Sequence, residues 1–148
     1  MDDWRANLLT SGEDIHGLLA QARRVAVLGM RSERNPGMPA FYVPEALAAA
    51  GLEIVPVPVY ERQLTHMLDR PVYRRLVDVP GAIDIVDVFR RPEDLPGHLE
   101  DFLAKRPAAV WFQSGIREDA VAETLARAGI KVVQSRCLMM DYHAFKRS

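Results

Sequence analysis

The chain of 148 residues carries a single cysteine, Cys137. No internal disulfide framework can therefore hold it, and a lone thiol fits a reducing compartment. Its four histidines, His16, His66, His98 and His143, are scattered, with no Cys/His cluster at zinc spacing, which speaks against a metal site. Apolar runs stop at about six residues, far short of the roughly 20 that span a bilayer. The opening "MDDWRANLLTSGED" is acidic where a signal peptide is basic. A cytoplasmic protein without a membrane partner is expected. An excess of one charge is also missing: 19 basic against 20 acidic residues leave a formal net charge of -1. No global field draws the chain to nucleic acid, and any anion site must be local.

What is present is a core. Hydrophobic residues make up 49% of the chain, enough for one globular domain over 1–148, whereas two domains would each be very small. Ser11 and Asp14 have capping-box spacing, and Ile15, Leu18, Leu19 and Ala22 repeat at helical intervals, which predicts a helix over about 12–23. Short Val- and Ile-rich runs then alternate with helical patterns: 25–28, 54–57, 83–89, 108–112 and 130–133. Runs that are apolar on consecutive residues suit strands buried on both faces of a parallel sheet. Between them, Pro44 to Ala50 ends at Gly51, Leu95, Leu99, Phe102 and Leu103 share a face after Pro92, and Val121, Leu125 and Ala128 lead to Gly129. Glycine just past a helix is a common stop. Residues 58–80, charged and punctuated by proline, read as a crossover with short fragments.

The alternation predicts an α/β fold, a single Rossmann-like doubly wound parallel sheet of about five strands with flanking helices. With the dinucleotide-type order 3-2-1-4-5 assumed, the first and fourth strands flank the winding reversal, where ligands bind at the carboxyl ends. The loop after the first strand, 29–40, and "QSGIR", 113–117, would then meet, with 56–60 and "FRRPED" closing the sides. Alternation alone does not separate this order from the flavodoxin-like one.

That first loop lacks the glycines of a dinucleotide fingerprint. Gly29 is followed by Arg31 and Arg34 where G-x-G-x-x-G needs glycine, and after "VPVPV" the nearest acid is Glu61, which disfavours NAD. Arg31, Ser32 and Arg34 instead suit a ligand with several phosphates, held by charge-assisted hydrogen bonds near a helix start. Read alone, they are equally well solvated loop charges, Arg90 and Arg91 a helix cap, and Gln113-Ser114-Gly115 a turn.

Taken in order, "VAVLGMRSERNPGMPAFYVPEALAAAGLEIVPV", "DIVDVFRRPED", "AAVWFQSGIRED" and "GIKVVQSRCLMMDYHAF" resemble the small, free-standing CoA-binding proteins. Their domain is related to the N-terminal CoA-binding domain of the succinyl-CoA ligase α subunit. The resemblance covers about residues 14–145. It implies a Rossmann-like domain whose first loop holds the phosphates of coenzyme A and whose later loops flank adenosine and pantetheine. Position by position it points to Gly29, Met30, Arg31 and Ser32, to Val57 and Pro58, to Phe89, Arg90 and Pro92, and to Gln113, Ser114 and Gly115, with Arg34 joining the candidates from the loop's own charges. The chain departs from the family in reading Val57-Pro58-Val59 for Val-Asn-Pro and Ser135-Arg136-Cys137 for Asp-Arg-Cys.

The related ligases work through a phosphorylated histidine in a second domain, for which 148 residues leave no room. A non-catalytic binder of CoA or a short acyl-CoA is therefore expected. A nucleotide-sensing or interaction module and a nicotinamide-dependent enzyme are the alternatives. Cys137 is the remaining reactive candidate, against its reading as a packed, inert thiol beside Leu138 and Met139.

Overall fold

The computed structural model describes residues 3–148. Its centre is a parallel sheet of β1 (Arg24–Leu28), β2 (Glu53–Val57), β5 (Ile85–Val88), β6 (Ala109–Phe112) and β7 (Lys131–Val133). A two-residue hairpin, β3 (His66–Met67) and β4 (Arg70–Pro71), lies in the crossover between β2 and β5, with a 3-10 turn at Leu76–Asp78. The fragmented reading of 58–80 therefore holds. β1, β5 and β6 are buried almost end to end, as the unalternating apolar runs require of a sheet covered on both faces.

The helices are α1 (Gly12–Gln21), α2 (Pro39–Ala49), α3 (Leu99–Lys105), α4 (Asp119–Arg127) and α5 (Leu138–Arg147). Ser11 caps α1 by accepting from the Asp14 N–H at 3.1 Å, the cap that the Ser11/Asp14 spacing predicts. Gly51 and Gly129, at φ +105 and +88, turn the chain out of α2 and α4. One apolar layer joins Ile15, Leu19, Val43, Leu47 and Leu138 to Val25, Val27, Ile85 and Trp111. A second, on the other face, joins Phe102, Val121 and Leu125 to Ala26, Leu28, Val86, Val110 and Phe112. Helices α1, α2 and α5 thus cover one side and α3 and α4 the other.

The assumed strand order is corrected. Across the sheet the strands run β2-β1-β5-β6-β7, all parallel, which is the flavodoxin-like order 2-1-3-4-5 of the main strands. The winding reverses between β1 and β5, so the loop after the third main strand, not the fourth, faces the loop after the first. Two helix boundaries also move. α2 begins at Pro39 rather than Pro44, and the segment after Pro92 is a 3-10 turn to His98 that becomes α3 only at Leu99. No described helix is long and apolar enough to cross a membrane.

Candidate ligand-binding site

At the reversal the two strand ends touch backbone to backbone. The Gly29 N–H donates to the Val57 carbonyl at 2.9 Å, and the Phe89 N–H donates to the Leu28 carbonyl at 2.9 Å. Gly29 has φ +85, and a Cβ there would lie 2.5 Å from the Phe89 carbonyl oxygen. Only glycine allows both the left-handed turn and this approach.

Beyond Gly29 the loop is tied to α2 by a proline. Pro44 lies inside α2 and has no N–H to return to the Ala40 carbonyl one turn back. That carbonyl accepts the Arg31 N–H instead, at 3.0 Å. Met30 is fully buried in the core and Ser32 is 2% exposed, so of the expected first-loop residues only Arg31 and Arg34 offer side chains to solvent.

The Ser32 donors are already engaged. Its N–H donates to one Glu61 carboxylate oxygen at 3.0 Å and its hydroxyl to the other, while the Arg34 N–H donates to Ser32 Oγ at 3.3 Å. Partial burial pushes the Glu61 carboxyl upward, but the Ser32 hydrogen bonds and the Arg31 and Arg34 charges outweigh it and hold the group below its ordinary range. Glu61 sits at φ +55, in a loop gathered by the Arg74 guanidinium, which donates to the carbonyls of Tyr60, Glu61, Arg62 and Leu64. An internal carboxylate therefore fills the seat that sequence reasoning reserved for a phosphate.

The cations cluster around Tyr60, which is 47% exposed. The Arg31 guanidinium lies 4.1 Å from the ring centroid and that of Arg90 5.8 Å from it, within the range of cation–π attraction. Arg90 also pairs with Asp94 at 3.5 Å and donates to His98 Nε2 at 3.2 Å. Burial first, and then the Arg90 charge, lower the His98 pKa, which suits a neutral, accepting ring. Arg31 and Arg34 form no ion pair within 4 Å among the described residues.

Behind Arg90 opens a mainly apolar cavity of about 420 Å³ between the start of α2, the β5 and β6 loops and the start of α5. Phe89, Arg90, Pro92, Gln113, Ser114 and Gly115 all line it, so these six expected residues come together. Val57 and Pro58 are buried beneath the β2 loop and bring backbone, not side chains, to this edge. Gln113, 4% exposed, is fixed by its Oε1 accepting the Leu138 N–H at 2.9 Å. Ser135, standing where the family has Asp, accepts the Gly115 N–H at 3.1 Å and so tethers the β6 loop.

Sequence reasoning passed over Met38, Tyr42 and Ile116, which complete the apolar walls. Met38 and Tyr42 are each 39% exposed, and their spacing across the first turn of α2 was hidden by starting that helix at Pro44. It also passed over Tyr60 and Glu61 as site residues. The "VYE" that follows β2 was the available signal.

The description of the CoA binding domain fits residues 23–143. The chain belongs to the CoA-binding domain family. YneT of Bacillus subtilis (strain 168), named an uncharacterized protein, is 32% identical over 136 residues, or 92% of this chain and 97% of its own. The cell-free ID.343 protein of Thermus thermophilus superposes with a TM-score of 0.84 at 37% identity, over 92% of this chain and 99% of that one. A hypothetical protein from Pyrococcus horikoshii OT3 gives 0.84 at 26% identity over 99% of each chain. Membership in the CoA-binding family supports CoA binding in general.

Proposed function

We propose that the protein binds coenzyme A or a short acyl-CoA reversibly at the β1/β5 edge, without chemistry of its own, in the cytoplasm. The observation that carries this reading is the division of the edge into two unlike halves. Arg31 and Arg90 gather positive charge around an exposed aromatic ring, with Arg34 exposed on the same loop as Arg31, and an apolar cavity with a few polar groups adjoins them. Coenzyme A has the same division, a phosphorylated nucleotide at one end and a pantetheine arm at the other. When bound it would present a thiol or thioester, the group that carries acyl units.

The residues fit that ligand on their own terms. The arginines can meet phosphate oxygens by charge-assisted hydrogen bonds, and Tyr60 offers a face for a base. Met38, Tyr42, Phe89 and Ile116 can cover the arm. NAD fits less well, because recognition of its ribose diol needs a free acid after the second strand. Here both Glu61 oxygens are held by Ser32. A single thiol suits a reducing compartment, which is the support for a cytoplasmic setting.

Calorimetric titration with CoA, acetyl-CoA, NAD, NADP and FAD at one ionic strength tests the reading, with Arg31→Ala and Arg34→Ala alongside. CoA or acetyl-CoA should bind tightest. Each arginine variant should lose about tenfold and flatten the salt dependence, with the fold intact because exposed loop charges contribute little to stability. NAD binding as tight as CoA would overturn the assignment.

A further inference from the structure

Arg90 and Arg91 follow one another in the chain, yet only one of them is solvated. The Arg91 side chain is 71% exposed and that of Arg90 15%, and an arginine so covered needs partners. Its stem lies over Gly29, where a Cβ would come within 3.2 Å of the Arg90 Cδ. Its guanidinium lies 5.8 Å from the Tyr60 ring centroid and 3.5 Å from Asp94, and its Nε–H donates to His98 Nε2 at 3.2 Å.

These partners are not equally firm. Tyr60 is an exposed ring, and the Asp94 Oδ2 that faces Arg90 also accepts the Arg91 Nε–H at 3.1 Å. His98 is better anchored. It stands where the 3-10 turn Pro92–His98 passes into α3, half-buried, with its ring tilted against that of the fully buried Phe102 at 6.3 Å between centroids. The carboxylates whose charge reaches the ring are engaged elsewhere: Asp94 by Arg90 and Arg91, and Asp101 by Arg75 at 2.6 and 3.3 Å. Neither hydrogen-bonds the imidazole. A ring that accepts at Nε2 is neutral and carries its proton on Nδ1.

We propose that His98 is the positioning residue of the binding site: it holds the Arg90 Nε–H from behind and so aims the outer edge of the guanidinium at a phosphate of the ligand. This rests on the CoA reading above. His98 itself opens away from the apolar cavity, beside Leu28 and Phe102, and acts through Arg90 alone. Anchoring Nε leaves the terminal nitrogens of the fork for phosphate oxygens, the pairing in which arginine excels. An arginine fixed before the ligand arrives has already given up the rotamer freedom that binding otherwise costs. Arg90 adjoins both halves of the site, so its aim sets how one ligand engages both.

The test has a spectroscopic arm and a binding arm. In the unmodified, ligand-free chain at neutral pH, imidazole nitrogen NMR should show His98 protonated at Nδ1 and bare at Nε2, its signals identified by their loss in His98→Gln. A cationic ring, or one protonated at Nε2, overturns the proposal without any variant having to fold. Calorimetric titration with CoA then compares variants whose folding is checked by thermal unfolding. His98→Phe, which keeps the packing on Phe102 but cannot accept, should weaken CoA by about three- to tenfold. His98→Gln, whose carbonyl can take the same donor, should restore most of that loss. With Arg90→Ala already in place, His98→Phe should cost less than about twofold more. Equal losses with and without Arg90, or equal losses for phenylalanine and glutamine, refute the positioning role while CoA binding by the unmodified chain keeps the CoA reading. If the unmodified chain binds neither CoA nor acetyl-CoA, the CoA reading falls and takes the positioning role with it.

Discussion

Replacing Glu61 by glutamine asks whether a phosphate-seeking loop is held shut by its own carboxylate. Glu61 takes the Ser32 N–H at 3.0 Å and the Ser32 hydroxyl, and it lies in the fields of Arg31 and Arg34. Hydrogen bonds to a charged acceptor contribute about 1.5–3 kcal/mol and those to a neutral one about 0.5–1.5. Glu61→Gln therefore weakens the hold on Ser32 by about 2 kcal/mol for the two bonds. The residue touches solvent, and screening reduces this to about 1–2 kcal/mol. A ligand phosphate competing for Ser32, Arg31 and Arg34 then meets that much less resistance, so CoA should bind about 5- to 30-fold tighter. The variant should also melt a few degrees lower, because about 1 kcal/mol shifts the midpoint of a chain this size by roughly 2–4 °C. Calorimetric titration at fixed salt, paired with thermal unfolding, measures both. Equal or weaker CoA binding by a folded variant would refute competition, and would mean that Glu61 shapes the loop for its ligand.

Gly29→Ala should destabilise the chain by more than the roughly 1–2 kcal/mol of left-handed backbone strain, since its Cβ meets the Phe89 carbonyl at 2.5 Å. Thermal unfolding should show a fall of several degrees, and an unchanged midpoint would mean that β1 and β5 do not meet as described. Asp87, wholly buried on β5 with neither carboxyl oxygen hydrogen-bonded among the described residues, is pushed well above the ordinary carboxylate range by desolvation. The fold keeps its proton where the unfolded chain has lost it, so its contribution to stability falls as pH rises from about 3.9 toward the raised pKa, at about 1.4 kcal/mol per pH unit. Asp87→Asn should flatten that slope in midpoint-against-pH curves, while the lowered carboxyls of Glu61 and Asp94 act alike in both proteins. Parallel curves would show Asp87 to be ionised or solvated in the fold.

Strands and helix ends were legible because each follows from a local rule. Consecutive burial along Val25–Leu28 and Ala109–Phe112 needs only a sheet with two covers, Ser11 caps the N–H three residues on with its own hydroxyl, and Gly51 and Gly129 act through their own backbone. Strand order is not local. It depends on the side to which each crossover turns, and residues 58–84, long and broken by a hairpin, carry no periodicity that records it. The start of α2 was misplaced for a related reason. Proline is favoured in a first turn, so Pro44 was read as the helix start, whereas Pro39 has that place and Pro44 sits inside the helix. Helix α5 has no place in the sequence reading, and only the packing of Leu138 and Tyr142 reveals its buried stripe.

The corrected order also explains why the candidate site has two unlike halves. Had the fourth main strand adjoined the first, the Arg31 loop would face Gln113-Ser114-Gly115, and the arginines of "FRRPED" would stand at its flank. With β5 beside β1, Phe89 and Arg90 occupy the centre and look both ways. Arg90 reaches Tyr60 on the β2 side and lines the cavity shared with Gln113 and Cys137 on the β6 side. One residue at the winding reversal thus links the cationic half to the apolar half. A ligand engaging both must cross the line between Gly29 and Phe89, where a side chain on residue 29 would strike the backbone and where glycine stands.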